Sequence, residues 1–295
     1  MTAGGELIVS VSGVRGVVGQ SLTPAAALAF ASALGAYTGG GRVALGRDGR
    51  PSGLMLRHAV LAGLAAAGCE VHDLGVAPTP TVGRAVRALA ASGGVQITAS
   101  HNPAEWNGLK LFGPDGRVLS AAEGRKVQEL FEAGAARPAP WNQIGTQQDY
   151  PQAAADHRDR VLQLVDAAAV RAAGLTAFLD ANNGAGGPLG RALLQALHVE
   201  TAFYGCDAAG FFLHEPEPTA ANLRETAPQV RRHGAAVGFA LDPDADRLAL
   251  IDETGRYVGE ELTLALAARQ RLKQERGPVV VNMSTSRVVE DVAAQ

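Results

Sequence analysis

The sequence predicts an α/β protein, built on a mostly parallel sheet with helices on both faces. Three observations carry that prediction. Short apolar runs alternate with longer alanine- and leucine-rich stretches along the chain. Thr23-Pro24 and Thr79-Pro80 each join an N-cap side chain to a proline suited to the first helical position. Polar, glycine-punctuated clusters sit where the predicted strands end, the edge at which open α/β sheets bind ligands.

Leu7 to Val11 reads as a strand, and Ser12-Gly13-Val14-Arg15-Gly16 as a tight loop carrying one arginine. Pro24 opens a helix through about Ala36. Arg42 to Leu45 is a strand ending in Gly46-Arg47-Asp48-Gly49-Arg50. A helix over about Pro51 to Ala67, a strand around Val71 and a helix from Thr79-Pro80 to about Ala91 follow. Gly94 to Ile97 is the next strand, and Asn102-Pro103 must break it. Leu109 to Val118 has the form of a hairpin turning at Gly113-Pro114-Asp115-Gly116, with a helix from about Ala121. Prolines, glycines and glutamines cluster between Gly134 and Pro151, where a domain boundary is expected.

A second αβ series follows. A helix near Gln152 to Val165 leads to the strand Ala177 to Leu179. Asn182 to Gly187 is a glycine-rich turn into a helix ending near Leu197. It lacks the Gly-Lys-Ser/Thr ending of a Walker loop, so it reads as a strand-to-helix turn. A strand near Ala202, a proline-rich link at Glu215 to Thr219 and a helix near Thr226 to Arg232 precede the strand Val237 to Leu241. That strand ends in Asp242-Pro243-Asp244-Ala245-Asp246-Arg247, and Leu248 to Ile251 resumes the sheet. A helix over Glu261 to Lys273, a strand Val279 to Val281 and a last helix are expected in a third unit too small to close its own core.

The 295 residues suit two domains or a little more. A net charge of −3, with no basic run, argues against nucleic acid as the main partner. Cys69 and Cys206 are too few for a disulfide framework, which fits a reducing cytoplasm. The N-terminus lacks a signal-peptide pattern, and the apolar run from Ala59 to Gly68 is too short for a bilayer, so no membrane partner is expected.

Two stretches carry chemistry. Ser100, in Thr98-Ala99-Ser100-His101-Asn102-Pro103, sits where a strand gives way to a loop, with His101, Asn102 and Lys110 within reach. A serine is a poor nucleophile until a base or a charge activates it. Asp242, Asp244 and Asp246 place three carboxylates within five residues. They repel unless solvated or holding a cation, and a hard divalent ion with oxygen ligands fits, magnesium being the default in phosphate chemistry. Arg247 beside them could partner a phosphate oxygen. His58, His72, His157, His198, His214 and His233 show no metal spacing and read as surface or packing residues.

These stretches resemble the α-D-phosphohexomutases, the phosphoglucomutase/phosphomannomutase superfamily. The matching segments are Ser12 to Gly16, Gly46-Arg47-Asp48, Thr98 to Pro103 with Asn107-Gly108-x-Lys110, Asp180 to Gly187, and Asp242 to Arg247, in the family's order. Val9 to Gly16 looks most like the phosphoglucosamine mutase branch. The resemblance implies successive α/β/α domains with mixed, mostly parallel sheets around a cleft. Residues 1–149 would form a first domain with the phosphoserine loop, 150–252 a second with the metal loop, and 253–295 the incomplete start of a third. Ser100 matches the phosphoserine, and Asp242, Asp244 and Asp246 match the Mg²⁺ ligands, with a phosphoserine oxygen completing the site. Lys110 matches a residue implicated in proton transfer, which would need a lowered pKa. Arg15, His101 and Arg247 match groups around the phosphate.

The implied reaction moves phosphate between O6 and O1 of a hexose phosphate, of glucosamine, mannose or glucose, through phosphoserine and a bisphosphate intermediate. Family members also carry a Gly-Glu-x-Ser-Gly-His sugar loop and an Arg-x-Ser-Gly-Thr phosphate loop. Neither is in this sequence, and Gly259-Glu260-Glu261-Leu262 is expected to open a helix instead. The sequence is therefore expected to be the N-terminal part of a longer gene product, and an inactive fragment is one alternative. The other is an aspartate-nucleophile enzyme of the haloacid dehalogenase type using Asp242 and Asp244, which the continuation Ala245-Asp246-Arg247 fits poorly.

Overall fold

A computed structural model describes residues 6–10, 13–134 and 136–295. Val11 and Ser12, expected in the first strand and the arginine loop, lie outside the described residues. The first half runs β1 (Ile8–Ser10), β2 (Gly13–Val17), α1 (Pro24–Tyr37), β3 (Arg42–Arg47), α2 (Gly53–Ala66), β4 (Glu70–Val76), α3 (Thr79–Ala88), β5 (Gly93–Ile97), β6 (Trp106–Phe112), α4 (Ala121–Glu132) and β7 (Gln147–Asp149). Its strands form one sheet in the order β1-β2-β6-β5-β3-β4-β7. β5, β3, β4 and β7 run parallel, whereas β1, β2 and β6 join antiparallel. β5 is buried along its whole length, as a strand in a sheet covered on both faces is, and its one polar side chain, Gln96, donates to the Ala77 carbonyl.

Local chemistry starts the helices. The Thr23 side chain accepts from the Ala26 amide at the head of α1, and Ser120 with Glu123 forms a capping box at the head of α4. Phe30, Leu34, Leu56 and Leu64 from α1 and α2 cover one sheet face over Val43, Leu45, Val95 and Leu109. Each fully buried Leu or Phe contributes roughly 1.5–3 kcal/mol. Val82 and Val86 of α3 cover the opposite face with Ala44 and Phe112.

The second half runs α5 (Ala153–Leu164), α6 (Ala167–Ala172), β8 (Thr176–Asp180), α7 (Gly186–Ala196), β9 (Glu200–Tyr204), α8 (Ala227–Arg232), β10 (Val237–Leu241) and β11 (Leu248–Asp252). The sheet order is β11-β10-β8-β9, with β8 parallel to both neighbours and β10 antiparallel to β11. α9 (Glu260–Gln274) follows and packs against β11 and α10 (Val288–Ala293).

The structure departs from the sequence reading in five places. Gly13 to Gly16 is strand rather than loop, because β6 pairs with it along its length. The predicted hairpin at Leu109 to Val118 reduces to a single bridge between Phe112 and Val118. Leu109 to Phe112 instead folds back on β5, so that the serine loop itself joins a hairpin. Thr79 lies inside α3, whose N-cap position is Pro78, and its hydroxyl is committed elsewhere. α6 was not anticipated, although Asp166 caps it by accepting from the Ala169 amide. Val279 to Val281 forms no strand: no described strand lies beside it to satisfy its backbone, and Val280 is 93% exposed. As expected, the segment at Gly259 opens a helix.

Candidate functional site

Two hairpin connections from different sheets meet. The β5–β6 connection carries Ser100, and the β10–β11 connection carries the aspartates. Ser100, 2% exposed, donates from Oγ to Asp242 Oδ2 at 2.9 Å. Its φ of 51° lies in the left-handed region, which costs a non-glycine residue of order 1 kcal/mol and persists only where the surroundings fix it.

Those surroundings start from Arg50, whose side chain is fully buried. Its Nε donates to Asp48 Oδ2 at 3.1 Å. One terminal nitrogen donates to the carbonyls of Pro103 and Trp106, and the other to those of Ser100 and Asn102 at 2.7 and 2.8 Å. Asp48 also accepts from the Thr98 hydroxyl, which in turn accepts from the Ser100 amide at 2.8 Å. The serine loop is thus wrapped around one guanidinium. Arg50→Met should cost about 3–5 kcal/mol, because it strands a buried Asp48 and four carbonyls. Chemical denaturation checks this, and a loss below about 1 kcal/mol would show the network to be dispensable.

Asp242, Asp244 and Asp246 each offer an oxygen within 4.8 Å of the others. Asp242 Oδ1 is taken by the amides of Asp246 and Arg247. Asp244 is fully buried, and its Oδ2 accepts from Lys110 Nζ at 2.9 Å and from the Thr79 hydroxyl. Its Oδ1 has no hydrogen-bond partner. A bare buried carboxylate oxygen among further carboxylates fits a hard cation, so the cluster can hold a divalent metal. Burial first, and then Asp244 and Asp246, push the Asp242 carboxyl up to about 8. Burial also acts to raise Asp244, but Lys110 and the hydrogen bonds to the carboxylate outweigh it, so its pKa falls.

Lys110 corrects an expectation. Burial lowers its pKa, but the ammonium lies 2.9 Å from Asp244 and 2.7 Å from Asp246, and these carboxylates raise it on balance. Without a cation on these aspartates the geometry gives a raised value, not the lowered one wanted of a proton-accepting lysine.

Thr79 was missed as a site residue. Its amide donates to the Asp244 carbonyl at 2.8 Å and its hydroxyl to the Asp244 side chain, fastening the aspartate loop of one sheet to α3 of the other. Thr79→Val is expected to weaken divalent-cation affinity by roughly 10- to 100-fold, read by calorimetry. An unchanged affinity would mean that Lys110 alone orients Asp244.

The remaining residues gather around Ser100. His101 Nδ1 lies 3.4 Å from Ser100 Oγ, and burial, then Arg247 and Arg15, lower its pKa against the pull of Glu217. Arg15, on β2, donates to Asn102 Oδ1 at 3.4 Å. Arg247 pairs with Glu217 at 3.4 Å. Ser100, His101, Lys110 and the three aspartates therefore converge directly, while Arg15 and Arg247 approach through Asn102 and Glu217.

The turn at Asn182 to Gly187 braces this site, in keeping with its reading as a strand-to-helix turn. The Ala185 amide donates to the Pro243 carbonyl, and a Cβ on Gly184 would meet Pro243 at 2.6 Å. Residues 210–212 then lie on the first half. Gly210, at φ 75°, sits so close to Gly49 that a Cβ would stand 1.8 Å from its carbonyl oxygen, and the Phe212 ring lies 4.8 Å from the Arg50 guanidinium carbon. His214 holds the root of this segment through Asp180 at 2.8 Å. Burial lowers its pKa, but Asp180 outweighs that and raises it. This histidine does more than pack.

Comparison with known proteins follows the same geometry. Residues 7–138 match the family description "Phosphoglucomutase/phosphomannomutase, alpha/beta/alpha domain I", and residues 155–255 match domain II of the same family. The chain is 39% identical over 287 residues to a Methanopyrus kandleri protein named "Probable phosphoglucosamine mutase", covering 96% of this chain and 62% of that protein. It is 37% identical over 290 residues to a Thermococcus kodakarensis protein named "Phosphoglucomutase/phosphomannomutase", covering 95% and 63%. A crystal structure of a phosphoglucomutase/phosphomannomutase family protein from Burkholderia thailandensis matches with a TM-score of 0.80 and 26% identity, covering 97% of this chain and 64% of that one. The chain thus spans less than two thirds of the length of these relatives.

Proposed function

Because the chain belongs to the phosphoglucomutase/phosphomannomutase family, we propose that it supplies the phosphoryl-transfer half of a phosphohexomutase. The substrate class is a hexose phosphate, with glucosamine phosphate favoured by the names its relatives carry. The observation that carries this reading is the 2.9 Å contact between Ser100 Oγ and Asp242, beside the bare Oδ1 of Asp244. In the proposed step the bond between Ser100 Oγ and phosphorus breaks and a bond from a sugar oxygen to phosphorus forms. The sugar hydroxyl gives up its proton, and the reverse transfer returns the other phosphate to Ser100.

Asp242, Asp244 and Asp246 would hold Mg²⁺, which when bound polarises the phosphoryl group and offsets its charge. His101, kept neutral beside Ser100, suits the group that accepts the sugar proton. Lys110, kept protonated, suits charge neutralisation and proton donation, and Arg15 and Arg247 suit the phosphate oxygens. Arg50 and Thr79 position the two loops. We read residues 1–149 as the phosphoserine unit, 150–252 as the metal unit and 253–295 as the start of a third. Among the described residues no helix is long and apolar enough to cross a membrane.

Trapping tests this. After incubation with Mg²⁺ and a hexose 1,6-bisphosphate, the protein should gain one phosphoryl group that survives hydroxylamine and maps to Ser100. A hydroxylamine-labile group on Asp242 or Asp244 would instead establish an aspartate nucleophile.

A further inference from the structure

Asp246 also borders a cavity of about 760 Å³ that is lined by no residue of the serine loop and that the reaction above does not use. Three chain segments bring four guanidinium groups to its wall. Arg84 and Arg87 are three residues apart on α3 and share a face. Arg117 follows the turn after β6, and Arg160 comes from α5. The carboxylates facing them are few. Asp246 is engaged by Lys110 at 2.7 Å, and Asp115 is 3.8 Å from Arg117 with both side chains largely exposed, a loose pair worth little. Arg84 is anchored through Nε to the Asp156 carbonyl at 3.2 Å, which leaves its other nitrogens for a ligand. Arg160 bonds only Gln163 on its own helix, and the Arg87 side chain has no hydrogen-bond or ion-pair partner among the described residues.

Like charges gathered in a concavity raise the local concentration of anions, and planar guanidinium forks match phosphate oxygens. The chain carries a net charge of −3, so this concentration of positive charge is local. The volume is that of a small-molecule site rather than of a nucleic-acid track. The geometry points to a second site here, one that binds small multi-anionic phosphate compounds. It rests on the proposed function only in favouring phosphate over other polyanions; the charge argument stands without it. A ligand held by Arg84, Arg87 and Arg117 would lie next to Asp246 without touching the serine loop.

Calorimetry with inorganic pyrophosphate, in metal-free buffer at low salt, tests this. The wild-type protein should bind one equivalent, and the double variant R87Q/R117Q should bind at least about tenfold more weakly. Both side chains are exposed, so the variant should keep the wild-type thermal midpoint. R84Q, at the better-anchored position, gives an independent variant with the same expected direction. Ser100→Ala and Arg15→Gln should leave the affinity unchanged. The inference is overturned if no saturable binding is seen, if the arginine variants bind like wild type, or if Arg15→Gln abolishes binding and so places the probe on the serine loop. Phosphoserine trapping is read independently, so failure here would leave the proposed function standing.

Discussion

Ser100→Ala should take up no phosphoryl group from a hexose bisphosphate, while keeping the fold. In the protein extended to the length of its relatives, turnover should fall by on the order of 10⁴-fold or more, the scale on which a nucleophile is lost. The reasoning is local. Ser100 Oγ points at Asp242, while its amide donates to the Thr98 hydroxyl and its carbonyl accepts from Arg50, which hold the left-handed turn that aims it. The change removes one oxygen and its hydrogen bond to Asp242 while keeping Cβ, and an unchanged denaturation midpoint for the variant separates lost chemistry from a folding defect. Mass spectrometry of the trapped protein reads the result directly, and phosphoryl uptake at the wild-type level by the variant would remove Ser100 from the mechanism.

Asp244→Asn should weaken Mg²⁺ binding by on the order of a hundredfold or more, since changes behind a ligand already cost 10- to 100-fold. Asp244 is the ligand candidate with a buried, unpartnered oxygen, and the amide removes its charge while keeping its shape. Isothermal titration of wild type and variant decides it, equal affinities ruling Asp244 out. The same site sets a pH dependence. The Asp242 carboxyl is raised above its unfolded value, so without a cation its contribution to stability is present below about pH 4 and is lost as pH rises through about 8. A cation that takes the place of that proton binds better as pH rises. The rise in thermal midpoint caused by Mg²⁺ should therefore be larger at pH 8 than at pH 5.5, and an equal rise at both would argue against displacement of that proton.

What the sequence disclosed divides along a physical line. Signals that act over a few residues were legible: Thr23-Pro24 as a helix start, the helix beginning at Ala121, and the aspartate loop broken by Pro243. The aspartates could be named as metal candidates from residue type and spacing, whereas the phosphate role of Ser100 was named through the family resemblance. Contacts between distant segments were not legible. Arg50 reads as one more charge in a glycine-rich loop, and only folding places it under the carbonyls of Ser100 to Trp106. Thr79 has every mark of an N-cap, yet the approach of Asp244 claims its hydroxyl. Lys110 shows the limit most clearly. A bound metal and neighbouring arginines would lower its pKa, whereas the strand register sets the ammonium between two carboxylates. Val279 to Val281 failed for the complementary reason, since a β-branched run is a strand only when another strand lies alongside.

One bond of the Arg50 network has an optical consequence. The chain has two tryptophans, and both fall in its first half: Trp141 is 87% exposed, and Trp106 lends its carbonyl to Arg50. Indole emission is therefore blind to the second sheet, while far-ultraviolet dichroism sees both. If heating separates the two signals, the gap between the curves reveals which side of the seam gives way first, without any added label.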